Sequence, residues 1–173
     1  ETLVDPATSG QTPTAIDEAA GGHPRRWWVL AVLCLSLFLV VVDNTIVNVA
    51  LPTLSADLNA STTELQWIVD AYTLVFASLL PAFGHFGDRF GRRGALALGL
   101  ILFGATSALA AFATSAGGLI GVRALMGVGA ALVFPATLAI LMNVFTDKKQ
   151  RAAAIGIWSG ATGMAVAAGP VAG

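Results

Sequence analysis

Three ionisable side chains stand inside long apolar stretches of the sequence: Asp43, Asp70 and Arg123. A charged side chain near the middle of a membrane-spanning helix costs about 2.5–3.5 kcal/mol on insertion scales. Each of the three therefore needs a partner, a water-filled cavity or a neutral form. Counting 1.5 Å per residue from the ends of their stretches places all three roughly 8–10 Å below the same face of a bilayer. We therefore predict that they share one polar chamber.

Neighbouring residues support this chamber. Asn44 and Asn48 are four residues apart and give the first stretch a polar stripe beside its carboxylate. In the fourth stretch, Gly127 and Ala131 follow Arg123 at helical spacing and fall on the same face. Because both are small, we expect open space beside the guanidinium.

Proton coupling is the chemistry that this combination suggests. A carboxyl group in a low-dielectric chamber holds its proton more readily than one in water. An arginine stays charged, so its approach favours the ionised carboxylate and its withdrawal favours the protonated one. The alternative for each group is a static ion pair that holds helices together, and Asp70 is also close enough to the membrane surface to be simply solvated.

Composition supplies the elements that must position these groups. The 173 residues are 56% hydrophobic and only 11% charged, whereas soluble domains carry about 25% charged residues. We predict an all-α, polytopic transmembrane bundle, with the first span ending at Pro52 and a disordered tail over residues 1–26. The predicted spans cover about residues 27–50, 64–83, 95–113, 119–144 and 152–173.

The basic residues predict the orientation of the chain. Eight of the nine lie in segments that the predicted topology places on one side of the membrane, and the segments on the other side contain none. A soluble helical bundle would not be expected to show this distribution. The positive-inside bias makes their side cytoplasmic, so the chain is predicted to cross the plasma membrane several times with its N-terminus inside. The eight are Arg25, Arg26, Arg89, Arg92, Arg93, Lys148, Lys149 and Arg151.

A glycine-rich stretch lies between the second and third predicted spans. Residues 84–94 read G-H-F-G-D-R-F-G-R-R-G and combine four glycines with three arginines and one aspartate. We predict a short cytoplasmic loop here, because glycines allow a tight turn and the arginines fix its side of the membrane.

Four stretches resemble signatures of the major facilitator superfamily. Residues 84–96, with the pattern G-x-F-G-D-R-x-G-R-R-x-x-L, are similar to the family's loop signature between its second and third helices. Residues 43–52 resemble the first-helix signature of the drug:proton antiporter branch with fourteen helices. Residues 123–131 resemble the fourth-helix motif, and residues 160–173 resemble the antiporter motif of the fifth helix.

The resemblance implies the first five helices of an N-terminal transporter half and proton-coupled efflux of lipophilic drugs or antibiotics. Asp43 and Arg123 would couple protons to substrate, and we place Asp70 with them. The implied cytoplasmic gating residues are Gly84, Asp88, Arg89, Gly91, Arg92 and Arg93, with Asp88 meeting a helix N-terminus or a basic residue of the missing half. The implied bend of the fifth helix involves Gly160, Gly169, Pro170 and Gly173.

The resemblance also implies the partners: a small lipophilic substrate, protons, lipid and the remaining helices, but no nucleic acid. The proton gradient would supply energy without a cofactor or metal. An enzyme is disfavoured because the two histidines, His23 and His85, lie in the tail and the predicted loop. An importer of sugars or metabolites, and a non-transporting receptor or subunit, remain alternatives. Totals of twelve and fourteen helices both stay open.

Overall fold

The computed structural model describes residues 25–172, and side chains through Ala168. The predicted disordered tail lies outside this range except for its last two residues. The described residues form five helices and no strand, which confirms the all-α class. The helices are α1 (Arg26–Leu58), α2 (Thr62–Phe90), α3 (Arg92–Ala110), α4 (Ala116–Val144) and α5 (Lys148–Ala172).

Four of these helices, α1 to α4, are long and apolar enough to cross a membrane by length and composition. The shortest of them, α3, has 19 residues, and about 20 residues cover the hydrocarbon core. The helix α5 coincides with the fifth predicted span but is not one of these four, so that span stays a prediction.

The helix α1 continues past the point where the sequence predicted its end. Pro52 lies inside the helix, which runs on to Leu58 before Asn59 turns the chain with a φ of 49°. Proline removes one backbone hydrogen bond, whereas ending the helix there would remove those of the following turns as well. Pro52 therefore does not end the helix, and the end of the membrane span near this residue stays a prediction. Ser61 and Glu64 then start α2 with reciprocal cap hydrogen bonds.

The predicted cytoplasmic loop is almost entirely helical. The helix α2 runs to Phe90 and α3 begins at Arg92, so Gly91 alone separates them. Gly91 has a φ of 104°, and its N–H still donates to the carbonyl of Gly87 at 3.1 Å. The loop prediction over residues 84–94 is thus wrong, and the stretch is a one-residue junction between two helices.

Replacing Gly91 with alanine is expected to destabilise this junction. A side chain at positive φ costs about 1–2 kcal/mol, and no neighbouring atom would otherwise oppose a Cβ at this position. The measurement is the thermal midpoint of the full-length protein in detergent. Gly94→Ala is the matched control, because Gly94 is helical with equally open surroundings and should gain about 0.5–1 kcal/mol. Equal changes in the thermal midpoint for the two variants would contradict the claim that a side chain at position 91 is strained.

The helix α4 forms the centre of the bundle, with α2 and α3 packed against it, while α5 packs along α1. Glycines permit the closest approaches: a Cβ on Gly129 would lie 2.9 Å from the backbone nitrogen of Phe103, and one on Gly127 would lie 2.6 Å from the carbonyl oxygen of Tyr72. On the side of Gly127, the expectation of open space beside Arg123 is therefore wrong, because α2 fills that space. In lipid, small residues stabilise helix packing because they let another backbone approach this closely.

Candidate functional site

Arg123 is the centre of the site, because its side chain is only 1% exposed and contacts α1 and α2. Its Nη1 donates to Oδ2 of Asp43 at 2.6 Å, and its Nη2 donates to Oδ1 of Asn44 at 3.1 Å. Its Nε donates to the carbonyl oxygen of Ile68 at 3.3 Å. The planar guanidinium thus holds three acceptors on two other helices, which a lysine could not reproduce.

An aromatic ring completes the surroundings of the guanidinium. The Cζ of Arg123 lies 4.3 Å from the ring centroid of Tyr72. A cation over a desolvated ring gains about 2 kcal/mol. The same tyrosine presents its carbonyl oxygen to Gly127, one turn further along α4. Tyr72 therefore links the ion pair to the closest crossing of α2 and α4.

The network can accommodate both protonation states of Asp43. The Asp43 side chain is 21% exposed, so its carboxylate remains reachable while the arginine is enclosed. If the carboxylate gains a proton, the cation keeps the amide oxygen of Asn44, the Ile68 carbonyl and the ring of Tyr72. A buried cation without acceptors would be costly, and these neutral partners avoid that cost.

A cavity of about 340 Å³ leads to the ion pair from one side. It contacts both Asp43 and Arg123 and follows one face of α1 as far as Asp57. Fourteen residues of helix correspond to about 21 Å along the axis, so the cavity starts within the predicted first span and continues past its predicted end near residue 50. Between the two carboxylates its walls are mostly apolar: Ile46, Val47, Ala50, Leu54, Ile68, Leu119 and Met126.

Asp70 does not join this network. Ile68 and Tyr72 face α4 and are buried, whereas Asp70 is exposed and lines a separate cavity with Gln66. Two residues along a helix correspond to about 200° of rotation, so a residue between two buried neighbours must face away from them. The expectation of one chamber for all three charged groups is wrong for Asp70, and its coupling role stays a prediction.

The junction residues form a second polar cluster. Arg92 pairs with Asp88, with Nε and Nη2 at 2.9 and 2.8 Å from the same carboxylate oxygen. Its Nη1 also donates to the carbonyl oxygen of Ala139 on α4 at 3.0 Å. Arg92 therefore ties the junction to the central helix, and Asp88 is engaged within its own junction.

The other predicted junction and fifth-helix residues make fewer contacts. The guanidinium of Arg89 lies 5.9 Å from the ring centroid of Phe90, and Arg93 is exposed. A Cβ on Gly84 would be in ordinary contact with Pro135 of α4, at 3.9 Å. Gly160 is exposed, with open space beside it in the described part of the chain. The range of α5 includes Gly169 and Pro170, whereas Gly173 lies outside the described residues.

Two partners of Arg123 were not predicted from the sequence. Tyr72 lies in an apolar run and carries no motif, and the Ile68 carbonyl is a backbone group that no side-chain pattern reveals. Their spacing could have indicated them, because Ile68 and Tyr72 are four residues apart and such residues share one face of a helix.

Comparisons with known proteins agree on one family. The family model described as Major Facilitator Superfamily matches residues 33–173. The chain is 48% identical over 149 residues to the multidrug efflux pump LfrA of Mycolicibacterium smegmatis, covering 86% of this chain and 30% of that protein. It is 44% identical over 153 residues to the puromycin resistance protein pur8 of Streptomyces alboniger, covering 88% and 30%.

A third relative is the methyl viologen resistance protein SmvA of Salmonella typhimurium. It is 42% identical over 149 residues, which cover 86% of this chain and 30% of that protein. The chain thus spans about a third of the length of the curated relatives that it matches.

Proposed function

The chain belongs to the Major Facilitator Superfamily, and from that membership we propose that its protein exports lipophilic drugs or antibiotics in exchange for protons. The observation that carries the proposal is the enclosed ion pair between Asp43 and Arg123, whose carboxylate remains reachable. Relatives named for multidrug efflux and for puromycin resistance support the class of substrate.

In the proposed cycle, Asp43 takes up a proton through the cavity on its side and loses its ionic attraction to Arg123. The arginine then donates only to neutral acceptors, so its interaction with α1 becomes weaker. Because the network joins α1, α2 and α4, this change biases the packing of three helices. Release of the proton restores the pair and the original packing. A bistable contact of this kind can couple a local charge to a global movement.

The remaining predictions complete the proposal. The chain is a multi-pass membrane protein, and we place its N-terminus in the cytoplasm because eight basic residues fall on alternate flanks. The junction around Gly91 then lies inside the cell, where Asp88 and Arg92 would stabilise one conformation as a latch. No enzymatic step and no cofactor is required, because the proton gradient supplies the energy. Helices outside this chain would complete the path.

The test is export of a fluorescent lipophilic compound from cells that express the full-length chain, with and without a proton uncoupler. We expect export that the uncoupler abolishes, and no export above background for Asp43→Asn, because the asparagine cannot exchange a proton. Asp147→Asn is the control, since Asp147 caps α5 and asparagine caps helices equally well.

Each alternative has its own outcome in this assay. Proton-dependent accumulation of the compound inside cells would indicate an importer. Unchanged drug sensitivity for Asp43→Asn and Arg123→Ala, together with no transport by the unmodified protein, would indicate a receptor or subunit that keeps only the scaffold. Export that persists unchanged in Asp43→Asn, with unchanged proton exchange, would contradict the assigned role of this residue.

A further inference from the structure

Five cations lie at one end of the bundle, where α1 begins and where α4 turns into α5. The ring of Trp27 stands edge-on to that of Phe145 at 5.4 Å, which joins the first turn of α1 to the end of α4. Next to this contact, buried side chains from α1, α4 and α5 form one hydrophobic cluster. The packing therefore gathers cations from two separate segments of the chain: Arg25, Arg26, Lys148, Lys149 and Arg151.

This basic cluster has little negative charge beside it. Among the described residues of its two segments, Asp147 is the one acid, and its carboxylate accepts from the backbone N–H of Gln150 at 2.9 Å. Lys148 and Lys149 are exposed, and neither makes an ion pair with a described residue. The described residues therefore leave a surplus of positive charge at this end of the bundle.

The cations do not stabilise the helices that carry them. Lys148, Lys149 and Arg151 are three of the first four residues of α5, and Arg26 begins α1. The first turn of neither helix contains an acid. Because a helix N-terminus carries partial positive charge, cations in the first turn are unfavourable there. A bound anion would offset this repulsion.

One of the cations is held in place by the turn itself. The Nε of Arg151 donates to the carbonyl oxygen of Phe145 at 2.8 Å, and its Nη2 donates to that of Thr146 at 3.3 Å. The guanidinium is therefore ordered before a ligand arrives, so less side-chain entropy is lost when its remaining N–H groups bind. Its planar arrangement of donors matches the oxygens of a phosphate group.

Two tryptophans indicate that the anion belongs to a lipid. Trp27 and Trp28 directly follow the two arginines and are 49% and 76% exposed. Beyond them, α1 is apolar enough to cross a membrane, so the basic cluster lies at the depth of the headgroups, where tryptophan is favoured. Basic clusters of about four to eight residues beside a membrane span attract anionic headgroups. A soluble acidic peptide would not need the exposed rings.

We propose that the basic cluster binds the phosphate headgroup of an anionic phospholipid, with the exposed tryptophan rings against the glycerol and the upper acyl chain. The proposal concerns a membrane partner and does not rest on the proposed export function. A lipid bound in this way would bridge the start of α1 and the turn before α5, which would stabilise the packing of these two helices.

The experiment uses purified full-length protein in a nonionic detergent, with phosphatidylglycerol or phosphatidylcholine of identical acyl chains added. Native mass spectrometry measures how tightly each lipid binds, and phosphatidylglycerol should bind more tightly. Two double variants, Arg25→Gln with Arg26→Gln and Lys148→Gln with Lys149→Gln, are each expected to weaken its binding by about tenfold to thirtyfold. Two separate variants keep the test decisive if one of them fails to fold.

Arg89→Gln with Arg93→Gln is the matched control, because it removes the same charge from two exposed residues of the junction around Gly91. It should leave the affinity for phosphatidylglycerol nearly unchanged. An equal loss in this control would overturn the proposal, because binding would then follow the net charge of the protein and not the basic cluster. Unchanged affinity in both cluster variants would overturn it as well.

Three further outcomes would identify a different occupant and overturn the proposal. Equal affinity for the two lipids would show that the protein binds acyl chains without regard to the headgroup. Displacement of phosphatidylglycerol by inorganic phosphate at equal concentration would make a free anion the ligand. Binding that appears only after removal of residues 1–24, which contain four carboxylates and no Lys or Arg, would show that the tail of this chain occupies the basic cluster.

Discussion

Replacing Arg123 with methionine is expected to abolish export and to destabilise the bundle. The substitution leaves the carboxylate of Asp43 without its cation beside a protein interior. Removing one partner of a fully buried ion pair costs about 3–5 kcal/mol, and the cost here should be smaller because Asp43 can take up a proton from the cavity beside it. The ring of Tyr72 would also lose its cation. The thermal midpoint in detergent and the rate of export from cells measure the two effects separately.

A double variant separates stability from coupling. In Asp43→Asn with Arg123→Met, neither buried charge remains, so most of the lost stability should return while export stays absent. Arg123→Lys keeps the charge but replaces the planar guanidinium with a single ammonium group. It therefore cannot donate to both Asp43 and Asn44 in the same geometry. If the double variant exported normally, the pair would be a structural tie and not a coupling device.

Position along a helix could be predicted from the sequence, whereas the direction of a side chain could not. Counting residues placed Asp43 and Arg123 at one depth, and the structure brings them together. The same count included Asp70, which faces away from the network. Depth follows from the rise per residue alone, but direction depends on which face of each helix is buried. Here the buried face of α2 carries Ile68 and Tyr72.

Glycine and proline were the least reliable signals. Residues 84–94 have the composition of a loop, yet only Gly91 leaves the helical conformation. Pro52 also lies within a helix. The physical reason is common to both: the backbone hydrogen bonds and packing of a continuing helix outweigh the weak local preference of a single glycine or proline. Three other glycines mark close approaches between helices: Gly99, Gly127 and Gly129.

Gly127 provides the sharpest test of these close approaches. A Cβ at this position would lie 2.6 Å from the carbonyl oxygen of Tyr72 and 3.2 Å from the Cβ of Val75. Because the first obstacle is backbone, it cannot rotate aside, and α2 as a whole must shift. Gly127→Ala is expected to cost about 1–3 kcal/mol, as overpacking of a tight interior does, and Gly127→Val should cost more. The thermal midpoint in detergent is the measurement.

The expected effect of Gly127→Ala also extends to the ion pair, because Tyr72 and Ile68 both belong to the segment of α2 that must move. Their contacts with Arg123 would lengthen, so export should fall even under conditions in which the protein remains folded. Gly121→Ala is the matched control, since Gly121 lies on the same helix with no atom within 4 Å of a built Cβ. It should be neutral or slightly stabilising. Equal stability and export for the two variants would show that α2 can yield without disturbing the arginine, and the close crossing would then have no part in positioning it.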